Sequence, residues 1–212
     1  MNITDAVEEK IPENKLQAIF DRQKELMTKY HDIEKASGLL QTEDCPVNLH
    51  DKRGQARIKD FAWRVTEELG EALDALYVDN DDVHYKEELA DGLHFLTELS
   101  ILAGLTPKDI ADFIEAPEDL IFEHLVYPRK TTLNYMVANF IRSLGMTCNC
   151  LKNKPWKQSQ MLTDVPHFYA RLCDAWFAYF GILSDAFESG DEIVSTYFKK
   201  SQVNKFRQRS NY

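Results

Sequence analysis

Glycine and proline are scarce in this chain, at 8 and 7 of 212 residues. That scarcity argues against a turn-rich β fold and for long helices. The four cysteines, Cys45, Cys148, Cys150 and Cys173, have no framework spacing, and Cys148-Asn149-Cys150 has no second Cys or His pair at zinc distance. No apolar run is long enough for a bilayer: the longest, 175–183, falls well short of the roughly 20 residues a span requires. The opening residues, 1–12, are polar and acidic, unlike a secretory leader. Excess positive charge is missing too, since the formal net charge is −10, which excludes the chain surface as a whole as a nucleic-acid partner. These absences lead to the expectation of a cytoplasmic, reduced protein with no membrane or nucleic-acid partner.

Hydrophobic residues are nevertheless plentiful at 44%, with 11% aromatic, enough for a substantial core in one domain spanning 1–212. Helical periodicity organises most of that material. Residues 14–35 carry Leu16, Ile19, Phe20, Leu26, Met27 and Tyr30 on one stripe, with the polar Gln23 among them. Residues 57–79 place Phe61, Val65, Leu69, Ala72, Leu73 and Leu76 on one face, and residues 85–105 are apolar nearly all round, as a central buried helix requires. Gly104 and Thr106-Pro107 end that helix. Further helices are predicted over 131–152 and 168–187, and the second has an aromatic stripe that reads as core. A short helix over 191–198 then leads into a basic tail. The predicted class is all-α. Asp91/Asp174 and Ile110/Ile193 share an offset of 83. This fits a duplicated two-helix unit whose second copy has lost its acids, with Glu68 set against Leu151, Glu71 against Lys154 and Glu88 against Arg171.

Two acid pairs lie within these helices, Glu68-Leu69-Gly70-Glu71 and Glu88-Leu89-Ala90-Asp91. Acids three residues apart are ~300° round a helix and so project from one face. Acid pairs at this spacing recur by chance in a chain with 35 acidic residues, so the context has to decide. Glu67 and Asp74 fall on the far side of their helix and read as solvated. Gly70, a poor helix former, reads as permitting close approach beside its acids. Glu88 and Asp91 share an angular strip with Gly92, Phe95 and Leu99, so they face protein, where an acid is costly unless paired or metal-bound. If the two helices pack side by side, Glu68, Glu71, Glu88 and Asp91 converge. Four carboxylates repel unless neutralised, and a hard cation such as Mg²⁺ prefers oxygen ligands.

The last sixteen residues, 197–212, invert the charge, with Lys199, Lys200, Lys205, Arg207 and Arg209 and no acid. Such a segment is either a solvated end or a cationic arm that closes over phosphates. It resembles the Lys-Asn-x-Leu-Asn-x-Phe-Arg-Gln-x-x-Gly-Tyr segment of the dimeric, all-α dUTPases, relatives of the MazG-like nucleotide pyrophosphatases. Lys200, Asn204, Phe206, Arg207, Gln208 and Tyr212 match, while Ser201 and Asn211 depart. The acid pairs also fit that family, the second continuing as Glu88-x-x-Asp91-x-x-His94-Phe95. The first helix is similar to the family segment that supplies a base-contacting Gln, here Gln23. His84 stands where relatives often have Asn, and residues 115–165 match nothing recognisable.

The resemblance implies Mg²⁺-dependent hydrolysis of dUTP, dCTP or both to the monophosphate and pyrophosphate, by a homodimer. Glu68, Glu71, Glu88 and Asp91 would hold the metal and carry catalysis. Lys200, Arg207 and Tyr212 would bind phosphate, and Gln23 and Asn204 would read the base edge, since amides offer both donor and acceptor. His94 reads as a supporting residue rather than a ligand. Three alternatives stay open: a pyrophosphatase for a modified or purine nucleotide, a non-catalytic protein that sequesters a nucleotide, and a helical interaction module in which the acids are merely surface charge.

Overall fold

A computed structural model describes residues 2–124, 132–152, 156, 158 and 161–210. Among these residues there is no strand, and eight α-helices account for most of the chain. They are α1 (Lys15–Ala36), α2 (Lys52–Asp74), α3 (Asp82–Ala103), α4 (Pro107–Ile114), α5 (Ile121–His124), α6 (Leu133–Cys150), α7 (Val165–Ala186) and α8 (Gly190–Ser210). Short 3₁₀ turns lie at Ile3–Asp5 and Glu118–Leu120. None of the described helices is long and apolar enough to cross a membrane.

Helix boundaries follow local chemistry. Asp51 accepts hydrogen bonds from the backbone N–H groups of Arg53 and Gly54, so α2 begins five residues before the periodicity of its apolar face is visible. At its other end α2 runs into a π turn, Ala75–Asp79, that Asn80 stops at φ 55°. Asp81 then caps α3 through the N–H groups of Val83 and His84. Gly104, at φ 82°, terminates α3 in the left-handed region. Thr106-Pro107, expected only to end α3, also starts α4. Thr106 and Asp109 form a reciprocal capping box with Pro107 in the first turn.

Helix α3 is the centre, with Leu89, Leu93, Leu96, Leu99 and Leu102 fully buried. It packs chiefly along α2 in one hairpin, and α6 packs along α7 in another. Helices α1 and α8 close the remaining sides of α3. The aromatic stripe of α7 is core, as its sequence indicates, and it also supplies polar ties. Trp176 Nε1 donates to Ser100 Oγ at 2.8 Å, Tyr179 to the Leu89 carbonyl at 2.7 Å and Tyr169 to the Ala103 carbonyl at 2.8 Å. Only one end of each aromatic is polar, so these bonds fix how α7 lies against α3.

The two hairpins are alike in layout, and the offset of 83 relates the starts of α3 at Asp82 and α7 at Val165. It does not relate α2 to α6. Leu151, paired with Glu68 at that offset, lies beyond the end of α6, because the α6–α7 connection is longer than the α2–α3 one. Lys154, set against Glu71, lies outside the described residues. On the α3/α7 comparison Glu88 and Asp91 correspond to Arg171 and Asp174, which form an ion pair at 2.8 Å instead of an acid pair.

The basic tail is not a tail as far as Ser210. Helix α8 runs unbroken over Gly190–Ser210, with Tyr197, Phe198, Lys200, Ser201 and Val203 buried. Most of its cations have partners in the body: Lys199 pairs with Glu8, Lys200 with Asp91 and Lys205 with Glu25. The segment before α1 is tied to it as well, through reciprocal bonds between the Gln202 amide and the backbone of Val7.

Candidate active site

Packing α2 against α3 brings Glu68, Glu71 and Glu88 together, and one carboxylate oxygen from each lies within 4.8 Å of the others. Glu88 is buried, Glu68 half-buried and Glu71 exposed, so the cluster opens to solvent on one side. Glu67 and Asp74 are exposed, as their angular positions indicate. His84, one turn before Glu88, places Nε2 2.8 Å from a Glu88 oxygen.

The close approach of the helices at this point does not depend on Gly70, which is exposed and has open space around it. It depends on Gly92. A β-carbon there would lie 2.3 Å from the Tyr179 hydroxyl and 3.6 Å from the β-carbon of Glu68. Gly92 thus lets α2 and α7 both press against the acid-bearing face of α3.

Asp91 is the fourth acid, and its immediate partner is a cation: Lys200 Nζ lies 2.6 Å from one Asp91 oxygen and 3.7 Å from Glu87. Burial still raises the Asp91 carboxyl to about 6, with Lys200 pulling the other way. Glu68 is pushed further, to about 8, by burial first, then by the charge of Asp91 and its contact with Glu88. Glu68 so placed holds a proton near neutrality in the absence of a cation and releases it to one. An all-oxygen donor set of this kind suits Mg²⁺ in type and charge.

A cavity of about 240 Å³ adjoins the acids. Glu68 and Asp91 line it together with Arg64, Phe95, Asn204 and Arg207. Its remaining wall comes from α1 and the far part of α3, including Gln23, Tyr30, Glu34, His94 and Glu98. On α3, residues 88, 91, 95 and 98 follow one stripe at spacings of three and four, and Asp91 and Glu98 are about 10 Å apart along the axis. One helix face therefore joins the acid cluster to a second polar group.

That second group is a closed hydrogen-bond network. The Gln23 Nε2 donates to Glu98 Oε2 at 2.8 Å, and its Oε1 accepts from the Tyr197 hydroxyl at 2.9 Å. His94 Nδ1 lies 2.7 Å from the same Oε1, and the His94 ring stacks on Tyr197 with centroids 3.8 Å apart. His94 is a neutral packing partner, since burial pushes its pKa down to about 3.

The structure thus gathers Gln23, Asn204 and Arg207 around one cavity with Glu68 and Asp91, and joins Glu71 and Glu88 to it through the acid cluster. Lys200 does not line the cavity and joins this region only as the buried partner of Asp91. Tyr212 lies outside the described residues. Sequence reasoning missed Glu98 and Arg64. Glu98 continues the 88-91-95 stripe, a periodicity that would have revealed it. Arg64 sits one turn before Glu68, where its guanidinium covers Phe61 and pairs with Glu34 at 3.1 Å.

Among known protein families, a model described as dUTPase matches residues 15–212. No curated protein and no solved structure matches. The matched span contains both acid pairs, Gln23 and the whole of α8. By that match, over an all-helical fold, the chain belongs to a dUTPase family, and with it to the nucleotide diphosphatase hydrolases.

Proposed function

We infer that the protein is a Mg²⁺-dependent diphosphatase converting dUTP, and dCTP as a second substrate, to the monophosphate and pyrophosphate. The observation that carries this reading is the single α3 face that joins the carboxylate cluster to the Gln23–Glu98 network through one cavity. A metal-bound phosphate chain and a base need such an arrangement, with charge at one end and directional donors at the other.

Glu68, Glu71 and Glu88 would hold the metal, with Asp91 completing the set. When bound, Mg²⁺ would neutralise phosphate oxygens and lower the pKa of a water. Among the residues themselves, Glu71 is the exposed acid and so the one free to orient a water entering from solvent. Lys200 keeps a cation against Asp91 until phosphate oxygens compete for it, and Arg207 meets those oxygens from the cavity wall. Asn204 and Gln23 present amides to the base, and Phe95 lines the cavity beside them. A second copy of the chain is the expected partner. Exposed Trp63, Tyr77, Val78 and Val83 on and after α2 support an interface there.

The test is turnover of a panel of dNTPs and NTPs with Mg²⁺, with the products separated by chromatography. The expected result is monophosphate and pyrophosphate from dUTP and dCTP, at efficiencies at least about tenfold above purine dNTPs. It should be abolished in Glu88→Gln and by EDTA. Full activity in either condition, or a purine preference, would sink the reading.

A further inference from the structure

Gln23 is 3% exposed, and every polar atom of its side chain has a protein partner. The arrangement of those partners has two self-consistent forms. In the first, Glu98 is ionised and accepts a Gln23 N–H. The Gln23 oxygen then accepts from Tyr197 and from His94 protonated on Nδ1. In the second, Glu98 is protonated and donates to the Gln23 oxygen, and the amide is turned over. Its NH₂ then donates to the Tyr197 oxygen and to His94 Nδ1, with the His94 proton on Nε2. The Tyr197 hydroxyl can follow, because the Ile19 carbonyl lies 3.3 Å away as an alternative acceptor. His94 can follow too by exchanging tautomers while neutral, at the cost of a buried Nε2 proton with no hydrogen-bond partner, so the first form is the ground state while Glu98 is ionised.

An amide has two N–H groups and two lone pairs, so one of its functions remains to face the cavity. In the first form Gln23 offers the cavity an N–H, and in the second a lone pair. We propose that Glu98 is a specificity-determining residue that sets the orientation of the Gln23 amide, so that ionised Glu98 favours a base with a carbonyl at position 4 and protonated Glu98 a base with an amino group there. This rests on the base-binding reading of the cavity. Uracil carries the carbonyl and cytosine the amino group, so one proton on Glu98 would shift preference from dUTP towards dCTP.

The surroundings of Glu98 allow that change near neutrality. Burial raises its carboxyl to about 7, offset in part by the Gln23 hydrogen bond and by Arg57. From α1, His31 Nε2 stands 3.8 Å from Glu98, with Tyr30 and Glu34 nearby. Cys45 faces it from the α1–α2 connection, Arg57 and Arg64 from α2 and Tyr197 from α8. Burial, and then the charge of Arg57, lower the His31 pKa below its ordinary range.

The test compares kcat/KM on dUTP and dCTP for the wild type and Glu98→Gln between about pH 5.5 and 8.5, a range bracketing neutrality. In parallel, the side-chain ¹⁵N amide signal of Gln23 is followed, assigned by its loss in Gln23→Leu. The expected result is a dUTP:dCTP ratio that rises about tenfold with pH in the wild type and is flat in Glu98→Gln. The Gln23 signal should titrate only in the wild type. A flat wild-type ratio with a static Gln23 signal, or unchanged pH dependence in Glu98→Gln, would overturn the proposal. A Gln23 signal that titrates through Glu98 with neither nucleotide turned over would support the amide switch and sink the diphosphatase reading instead.

Discussion

Lys200 Nζ lies 2.6 Å from Asp91, with 8% of the lysine side chain and 18% of the aspartate side chain exposed. Breaking a pair so withdrawn from water leaves one charge without compensation. Lys200→Met should therefore cost about 3 kcal/mol of stability, less whatever Asp91 recovers by taking up a proton. The double variant Lys200→Met/Asp91→Asn should regain most of that stability in chemical denaturation while remaining inactive. A double variant no more stable than the single one would show that the pair is not the source of the loss.

Glycine substitutions should have opposite signs at two positions. Gly92→Ala forces a β-carbon against the hydroxyl of the fully buried Tyr179 and should destabilise by about 1–3 kcal/mol. Gly70→Ala, in open space on α2, should stabilise by up to about 1 kcal/mol through helix propensity alone. Thermal melts of the two variants decide the matter, and equal shifts would contradict the packing described for Gly92.

The raised pKa of Glu68 carries a pH dependence of defined sign. Between the ordinary carboxylate value, near 4.5, and about 8, the folded protein keeps a proton there that the unfolded chain has lost. The folded state then binds more protons, so metal-free stability should fall as pH rises through that window. Melting temperatures in EDTA should show this decline, Glu68→Gln should reduce it, and saturating Mg²⁺ should oppose it most at the alkaline end. A metal-free melting temperature that rises across the window in the wild type, and equally in Glu68→Gln, would exclude this account.

Arg207 is exposed while lining the cavity, so its removal should spare the fold. Arg207→Ala is expected to weaken triphosphate binding roughly tenfold to a hundredfold with an unchanged circular dichroism spectrum. Cutting the chain after Phe198 would not be an equivalent test. Lys200, Ser201 and Val203 are part of the buried face of α8, and their loss would undermine the bundle itself.

Much of this architecture is written in local periodicity. The stripe of α1 with Gln23 on it, the all-round apolar α3 and the aromatic α7 follow from side-chain spacing within one helix, and so does the inward aim of Glu88. What local spacing cannot carry is pairing across the chain. The cations of α8 read as a solvated end or as an arm over phosphates, because their partners Glu8, Glu25 and Asp91 lie far away in sequence. The choice between Gly70 and Gly92 depended on Tyr179, a residue of another hairpin. Periodicity places Glu98 on the stripe of Glu88 and Asp91, but its partner Gln23 lies 75 residues away on another helix. Helix α4, by contrast, was legible in the capping box of Thr106 and Asp109, and only the dual role of Thr106-Pro107 concealed it.

The bond from Trp176 to Ser100 also gives the molecule an internal reporter. Trp176 is fully buried, with its ring 6.0 Å from Phe20, while Trp63 and Trp156 are 61% and 77% exposed. Acrylamide or iodide should quench the two outer indoles and leave a blue-shifted residual emission from Trp176. That emission watches the junction of α1, α3 and α7. Separation of the second hairpin from the acid-bearing one would register as a red shift, even with every helix still intact.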